Sequence, residues 1–315
     1  MASIQGSSLT WHHIKAVSLG DLDFVKHLYT VNPFDLEDCI SQKQLPTVVD
    51  RKGYLFVILH FPRFIPEKKT VIPRQLGIFL SEKFLVTVYQ SELKPVDQLF
   101  RTCETDPQTR HELLEECSGE LLYRILDGLV DNLFPMLDKV LEAMENIEDD
   151  VFDDRVSVAR EVHLIERDIV ERDIVDQRRI LFPLDKQVNE IHVKTRRYCK
   201  ANLDLHYEDL HDRVSKVWDT LGSAQERVDI FNDTDFVLST ERTNKILAVL
   251  TIMFTLAIPA TLIGTFMGMN VNLPGGVETG PWLFLGTYTT LILVLVASLV
   301  PAALMMWLFW RWRWL

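Results

Sequence analysis

Hydrophobic positions recur along this chain in three rhythms. Near the amino terminus they form short aromatic and β-branched runs: Gly53-Tyr-Leu-Phe-Val-Ile-Leu-His-Phe61, Lys83-Phe-Leu-Val-Thr-Val-Tyr89, Leu76–Leu80 and the shorter Pro46–Asp50. Bounded by Gly, Pro or charge, these runs predict strands. Pro33-Phe-Asp-Leu-Glu-Asp-Cys-Ile40 predicts a short helix with Pro in its first turn. From Gly119 the rhythm changes: Leu122, Ile125, Leu126, Leu129 and Leu133 form a stripe of period 3.6, and similar stripes continue to Phe182, where Pro183 should break the run. Between Leu184 and Ile258 there is no proline and one glycine, Gly222. That stretch predicts one continuous helix of ~110 Å, too long to be buried inside a small domain. It reads as a stalk, packed on its neighbours or on copies of itself.

The third rhythm is no rhythm at all. Ile246 to Met267 is 22 residues without a charge, and Trp282 to Trp310 is another 29. As helices these would measure ~33 and ~43 Å, against ~30 Å of bilayer hydrocarbon. A wholly soluble fold is excluded, and so is a many-helix carrier, because residues 1–245 hold no comparable run. The expected organisation is an α/β domain over 1–117, a helical stalk over 118–245, and a first membrane span over 246–267. A short connection over 268–281, a second span over 282–310 and a tail over 311–315 complete it.

Charge sharpens this division. Residues 1–245 carry 31 basic and 44 acidic side chains, a net −13, and only Glu278, Arg311 and Arg313 lie beyond. Such a domain is a poor binder of nucleic acid and a plausible attractor of cations. Arg242 and Lys245 precede the first span, Arg311 and Arg313 follow the second, and the connection has no basic residue. Both termini are therefore expected in the cytoplasm, in an inner membrane. Trp282, Trp307, Trp310, Trp312 and Trp314 suit the lipid interfaces. No secretory signal is expected at the start of the chain. The four cysteines, Cys39, Cys103, Cys117 and Cys199, have no CxxC spacing and read as reduced thiols.

Enzyme signatures are missing: there is no Walker A loop, GxGxxG or GxSxG. His111-Glu-Leu-Leu-Glu115 begins like a zincin motif but ends in Glu, and reads as an exposed helix turn. His12-His13 are adjacent and should point apart, a weak metal hypothesis. No enzyme and no organic cofactor are expected.

Function points instead to the end of the first span, at Gly268-Met269-Asn270. From the residues alone these suit a helix C-cap about as well as an ion filter. With Pro33–Ile40, Tyr54–Pro62, Leu121–Asp131, Phe182-Pro-Leu184, Thr243-Asn244, Leu250-Thr251 and the final Trp-Leu, however, the chain resembles the CorA family of magnesium transport proteins over nearly its whole length. The resemblance implies a funnel-shaped homopentamer in lipid, the first span lining a pore. Mg2+ is the implied substrate, Co2+ or Ni2+ possible further ones, and the outer motif favours the filter reading. The pore face it implies comprises Asn244, Leu247, Leu250, Thr251, Phe254, Ile258, Thr261 and Thr265. Thr251 and Thr255 could equally bond their own helix carbonyls. Pro259 would weaken the local ladder. The resemblance also implies Mg2+ as regulatory ligand: Glu37 and Asp38 against Asp233 of a neighbour, and Asp127 with Asp209 at a second site, with Asp131 and Asp212 as weaker extras. One departure is the stretch after the motif, Val271-Asn-Leu-Pro-Gly-Gly-Val-Glu278, which keeps Pro274 and delays the acid. Competing readings are a Zn2+ transporter of the same fold, disfavoured by Met269 where that branch shows Ile, and a membrane-anchored oligomeric scaffold or sensor.

Overall fold

A computed structural model describes the chain except residues 16–18, 42–43, 153–159, 200, 270–283, 285–287 and 312–315. It divides into two units, Met1–Phe231 and Asn232–Leu315. The first opens with β1 (Ala2–Gln5), β2 (Thr10–Lys15), α1 (Leu19–Tyr29), α2 (Pro33–Ile40), β3 (Thr47–Asp50), β4 (Leu55–Ile65), β5 (Thr70–Leu80) and β6 (Phe84–Tyr89). Helices α3 (Lys94–Thr105), α4 (Pro107–Glu115), α5 (Ser118–Asp131), α6 (Phe134–Phe152) and α7 (Arg160–Thr195) follow. Next comes α8 (Asp204–Gly268), whose second part belongs to the second unit with α9 (Thr289–Arg311).

The sheet runs β1-β2-β6-β5-β4-β3, antiparallel except where β2 pairs with β6. Both faces are covered. Leu55, Val57, Leu59, Leu76, Ile78 and Leu85 pack in one core with α3–α8, while Phe56, Ile58, Phe79, Val86 and Val88 pack in another with Val25, Val31, Leu36 and Cys39. Burial on both sides is why these strands read as unbroken apolar runs rather than alternating ones. The four expected strands and the Pro33–Ile40 helix are present. Two strands are additional, β1 and β2. In β2 the polar-looking pair His12-His13 is buried.

Two expectations about the long helices need correction. Pro183 does not end a helix; it lies inside α7. Leu181 and Leu184 beside it are each 1% exposed. At roughly 1.5–3 kcal/mol per buried side chain, that packing outweighs the ~3 kcal/mol of an interior proline. The reversal falls instead between Thr195 and Asp204, without proline or glycine. There the Asn202 side chain accepts from the Asp204 N–H at 3.0 Å, and Tyr198 donates to Asp50 at 3.1 Å. The long helix therefore starts twenty residues later than expected, and its 65 residues span ~98 Å.

The cysteines are the third correction. Cys117 and Cys199 form a disulfide across 82 residues, Cα atoms 5.4 Å apart, while Cys39 and Cys103 are free and buried. The start of α5 and the turn before α8 approach so closely here that a Cβ on Gly119 would stand 2.6 Å from Thr195 Cγ2 and 2.8 Å from Cys199 Cβ.

Along α8 in the first unit, Tyr207, Leu210, Val214, Val217, Leu221, Ala224, Val228 and Phe231 are buried at alternating spacings of three and four. Beyond Phe231 burial stops. Among the described residues, two helices, α8 and α9, contain windows long and apolar enough to cross a membrane. α8 continues through Pro259 as one helix.

Candidate ion pathway and regulatory acids

The residues expected to line a pore share one helix in the second unit. Asn244, Leu247, Thr251, Phe254, Ile258, Thr261 and Thr265 recur at spacings of three and four on α8, and all are exposed, as is Leu250. Leu247, Phe254 and Ile258 leave 53%, 65% and 56% of their surfaces open. A face this apolar is complete only against lipid or other helices. Each threonine hydroxyl bonds back to the carbonyl four residues earlier. Thr251 donates to Leu247 at 2.7 Å, Thr255 to Thr251 at 2.6 Å, Thr261 to Ala257 at 2.9 Å and Thr265 to Thr261 at 2.7 Å. The bond does not exclude a role in the path. With its proton committed to the helix, a threonine oxygen can only accept, and the groups that a hydrated cation presents outward are water protons.

α8 ends at Gly268, where the Met269 N–H donates to the Phe266 carbonyl at 3.3 Å. A Cβ on Gly268 would meet no described atom within 4 Å. Asn270, the key residue of the motif, lies outside the described residues, as do Pro274, Glu278, Trp282, Trp312, Arg313 and Trp314. Trp307 and Trp310 are exposed on α9, and the Arg311 guanidinium sits 5.4 Å from the Trp307 ring centre.

The acidic candidates fall into separate places. Glu37 is exposed and Asp38 half-buried on α2. Partial burial, helped by the carboxylates of Asp35 and Glu37, holds the Asp38 carboxyl above its ordinary range. α2 is anchored from beneath by a residue that the sequence reading passed over. Asp35, 1% exposed, accepts two bonds from Arg51 at 3.0 and 2.7 Å and one from Tyr54 at 2.6 Å. Asn32 caps the helix, its side chain accepting from the Phe34 N–H at 3.1 Å, and Gln75 holds its last turn through the Asp38 carbonyl at 3.0 Å. The available sequence signal was the polar Asp35 on the apolar side of Pro33–Ile40.

Asp127 and Asp209 do come together, but around a cation. The Arg213 guanidinium donates to Asp127 and Asp131 of α5 and forms an ion pair with Asp209 one turn earlier on α8. The pair thus has a counterion, and three carboxylates share a single positive charge. Asp212 is exposed on α8, and so is Asp233 further along it. Among the described residues, no group of three or more His, Cys, Asp or Glu side chains could hold a metal. The adjacent histidines are parted, as expected. His12 Nε2 meets Tyr29 Oη at 2.6 Å, while His13 meets Tyr89 Oη at 2.9 Å and Asp97 at 3.4 Å. Burial pushes both imidazoles below their ordinary range. His111 pairs with Glu115 at 2.8 Å on the surface of α4.

Residues 6–311 match the family described as CorA-like Mg2+ transporter protein, which is nearly the whole chain. The chain belongs to this family. CorA-family members are ion transporters, not enzymes. Relatives include YfjQ of Bacillus subtilis, 25% identical over 85% of this chain and 81% of that protein. The cobalt/magnesium transport protein CorA of Thermotoga maritima is 24% identical over 84% of this chain and 74% of its own length. The zinc transport protein ZntB of Pectobacterium atrosepticum is 20% identical, covering 70% and 64%. Among solved structures, full-length CmaX superposes with a TM-score of 0.74 at 18% identity, covering 97% of this chain and 89% of CmaX. The CorA magnesium transporter of Methanocaldococcus jannaschii does so at 0.71 and 19%, covering 100% and 94%. The CorA-like fold, an α/β soluble domain with a long helix and two apolar helices, is therefore the fold of this chain.

Proposed function

We propose that this CorA-family divalent-cation transporter carries hydrated Mg2+ down its electrochemical gradient into the cell, as a homopentamer in the inner membrane with both termini cytoplasmic. The observation that carries the reading is the run of exposed Asn244, Thr251, Thr261 and Thr265 along one face of α8 that ends at Gly268-Met269. Mg2+ holds its water shell tightly and gives it up reluctantly, so a path for it should address water protons with neutral acceptors. Threonine oxygens whose protons are already bonded to the helix are acceptors of this kind. Gly268, Met269 and Asn270 form the filter, the Asn270 side-chain carbonyl and local backbone carbonyls facing the hydrated ion. Leu247, Leu250, Phe254 and Ile258 form the apolar constriction, which closes by dewetting.

No nucleotide is needed for this work. A divalent ion entering an inside-negative cell gains about 4.6 kcal/mol per 100 mV, twice the ~2.3 kcal/mol for one charge. Regulation uses the acids of the cytoplasmic part: Glu37 and Asp38 of one copy bridged through Mg2+ to Asp233 of the next, with Asp127 and Asp209 as a further site in competition with Arg213. Bound Mg2+ favours the closed arrangement, and depletion releases it.

A second reading is Zn2+ transport, favoured by the ZntB relatives that cover two thirds of this chain. Reconstitution in liposomes loaded with Mg2+- and Zn2+-sensitive dyes tests both. Mg2+ entry that grows with inside-negative potential supports the first, Zn2+ entry alone the second. Absence of flux for every divalent ion would leave only an anchored scaffold. Uptake that survives collapse of both the potential and the ion gradient would refute uniport.

A further inference from the structure

The four cysteines are of two kinds. Cys39 and Cys103 are 4% and 0% exposed, and burial holds both thiols well above their ordinary range, so neither offers a thiolate for exchange. Cys117 and Cys199 are bonded to each other, and Cys117 is only partly buried. Glu115 and Glu116 before it, and Ala201 and Asn202 after Cys199, are exposed. The bond therefore lies at the edge of the core, within reach of a solute.

Cys117 is also placed to be a stable thiolate. It is the N-cap of α5, in extended backbone, and while bonded to Cys199 its side chain caps no N–H. Once freed, its sulfur stands at the start of a 14-residue helix, where the first N–H groups and the macrodipole favour negative charge. Glu120, the acid of that first turn, is already paired with Arg124 at 3.1 Å. Stabilising the reduced form makes a disulfide easier to open.

The bond fastens the turn that leads into α8. Toward β3 this turn is held by Lys194 on the Val48 carbonyl at 2.8 Å, and by Arg197 and Tyr198 on Asp50, both at 3.1 Å. Toward α5 it is held by the disulfide, against the close approach at Gly119. Two thiols need more room than two bonded sulfurs, and that approach leaves little. Reduction should therefore shift the turn away from α5, just ahead of buried Leu203 and Tyr207, which seat the start of α8.

We propose that Cys117–Cys199 is a reversible thiol–disulfide site, opened by a dithiol and closed by a small disulfide of the glutathione class, which loosens or fastens the root of α8. In opening, a thiolate of the dithiol attacks Cys117 Sγ, the bond to Cys199 breaks, and Cys199 leaves as thiolate. The second thiol of the reductant, as thiolate, attacks the reductant's own sulfur in the mixed disulfide and expels Cys117. Two electrons pass to the protein, the reductant ends as a disulfide, and its two protons end on Cys117 and Cys199. Closing runs the other way: Cys117 thiolate attacks the small disulfide, Cys199 attacks the mixed disulfide, and two small thiols leave with the protons. The proposed cytoplasmic side is a compartment that keeps thiols reduced, where disulfides are rare and mostly transient or redox-sensing. The exchange chemistry does not depend on that placement, nor on the ion carried.

The test cycles the detergent-solubilised full chain between dithiothreitol and oxidised glutathione, traps thiols with N-ethylmaleimide and locates them by peptide mass. Dithiothreitol should open the bond without denaturant, and oxidised glutathione should restore it. In the opened protein, iodoacetamide should label Cys117 about tenfold or more faster than Cys103. Amide hydrogen exchange over residues 196–199 and 202–205 should be about tenfold or more faster in the open state and return on closure. The double variant Cys117→Ser, Cys199→Ser should exchange like the open form in both buffers; if it fails to fold, the cycle of the parent decides alone. A chain without the bond after glutathione oxidation, or a bond that opens only in denaturant, would overturn the site. Identical hydrogen exchange in the two states, or a buffer effect that persists in the double variant, would overturn its hold on α8.

Discussion

Leu59 and Leu295 are the same side chain in two solvents. Leu59 lies on β4 with none of its surface exposed; Leu295 lies on α9 with 50% exposed. The difference extends over the two units. The first closes two apolar cores with its own chain, though Phe34, Phe182 and Leu205 stay exposed, and it pairs Asp35 with Arg51 and Tyr54, and Asp97 with Lys15, His13 and Tyr89. The second leaves Phe254, Phe284 and Trp310 at 65%, 73% and 71% exposure. In water such surfaces would associate indiscriminately. In lipid they meet chains as apolar as themselves, and helix association must rest on close packing and polar contacts. The first unit therefore contains its own reason to fold, and the second is finished by what surrounds it.

That contrast can be broken most severely at the proposed filter. Asn270→Ala should reduce ion flux to background while leaving the melting of the detergent-solubilised protein unchanged. A variant that transports at the parental rate would remove the motif from the path. Gly268→Ala discriminates further. Since no described atom crowds that position, a loss of flux there would come from residues outside the described ones, from neighbouring copies or from the ion itself.

Next in size is the pair that opened the comparison. Leu59→Ala should destabilise by about 2–5 kcal/mol, because it opens a cavity in a closed core. Leu295→Ala should cost less than ~1 kcal/mol in detergent, where the removed atoms faced amphiphile before and after. Equal thermal shifts for the two would mean that Leu295 is packed by protein in the assembly.

Asp173→Asn reverses the sign. Burial, opposed by Arg172, pushes the Asp173 carboxyl up from 3.8 to about 6. A group raised in the folded state favours folding below its unfolded value, and that contribution is lost as pH rises through the folded one. At pH 7 the ionised carboxylate is thus a burden on the order of 1–3 kcal/mol. The asparagine variant should melt higher than the parent at pH 7–8, with the advantage fading toward pH 4. A constant difference across that range would contradict the assignment.

How much of this could be read in the sequence depended on whether a feature was local. β4 and β6 were legible because burial on both faces makes an unbroken apolar run, and the threonine face because 3.6 periodicity survives in a single helix. β2 was not legible, since His12 and His13 look polar until Tyr29, Tyr89 and Asp97 are brought to them from elsewhere. Pro183 misled because its cost is local and the burial of Leu181 and Leu184 that offsets it is not. The Cys117–Cys199 bond has no spacing signature, because α5, α6 and α7 set the distance between its ends. It gives a check of its own: reduction, or Cys117→Ser, should lower the melting temperature of the oxidised protein, and leave the reduced protein unchanged.

Arg213 is the smallest expected effect and the most informative about regulation. Its guanidinium is 21% exposed and serves Asp127, Asp131 and Asp209, of which the last two are 62% and 63% exposed. Solvent screens such pairs, so Arg213→Gln should cost only about 1 kcal/mol, and less at high salt. What the substitution changes more is the local charge, from net −2 to net −3, with Asp127 the least exposed of the three acids at 26%. Three carboxylates without a cation are a better site for one than three that share a guanidinium. If Asp127 and Asp209 can bind Mg2+, Arg213 competes for them, and its removal should let millimolar Mg2+ raise the melting temperature of the variant more than that of the parent. Proteolysis of the cytoplasmic part should follow the same order, and Asp233→Ala, which leaves this cluster intact, should not alter it. Equal Mg2+ protection in the parent and in Arg213→Gln would mean that Asp127 and Asp209 serve Arg213 alone, and that any shut-off by Mg2+ rests on Glu37, Asp38 and Asp233.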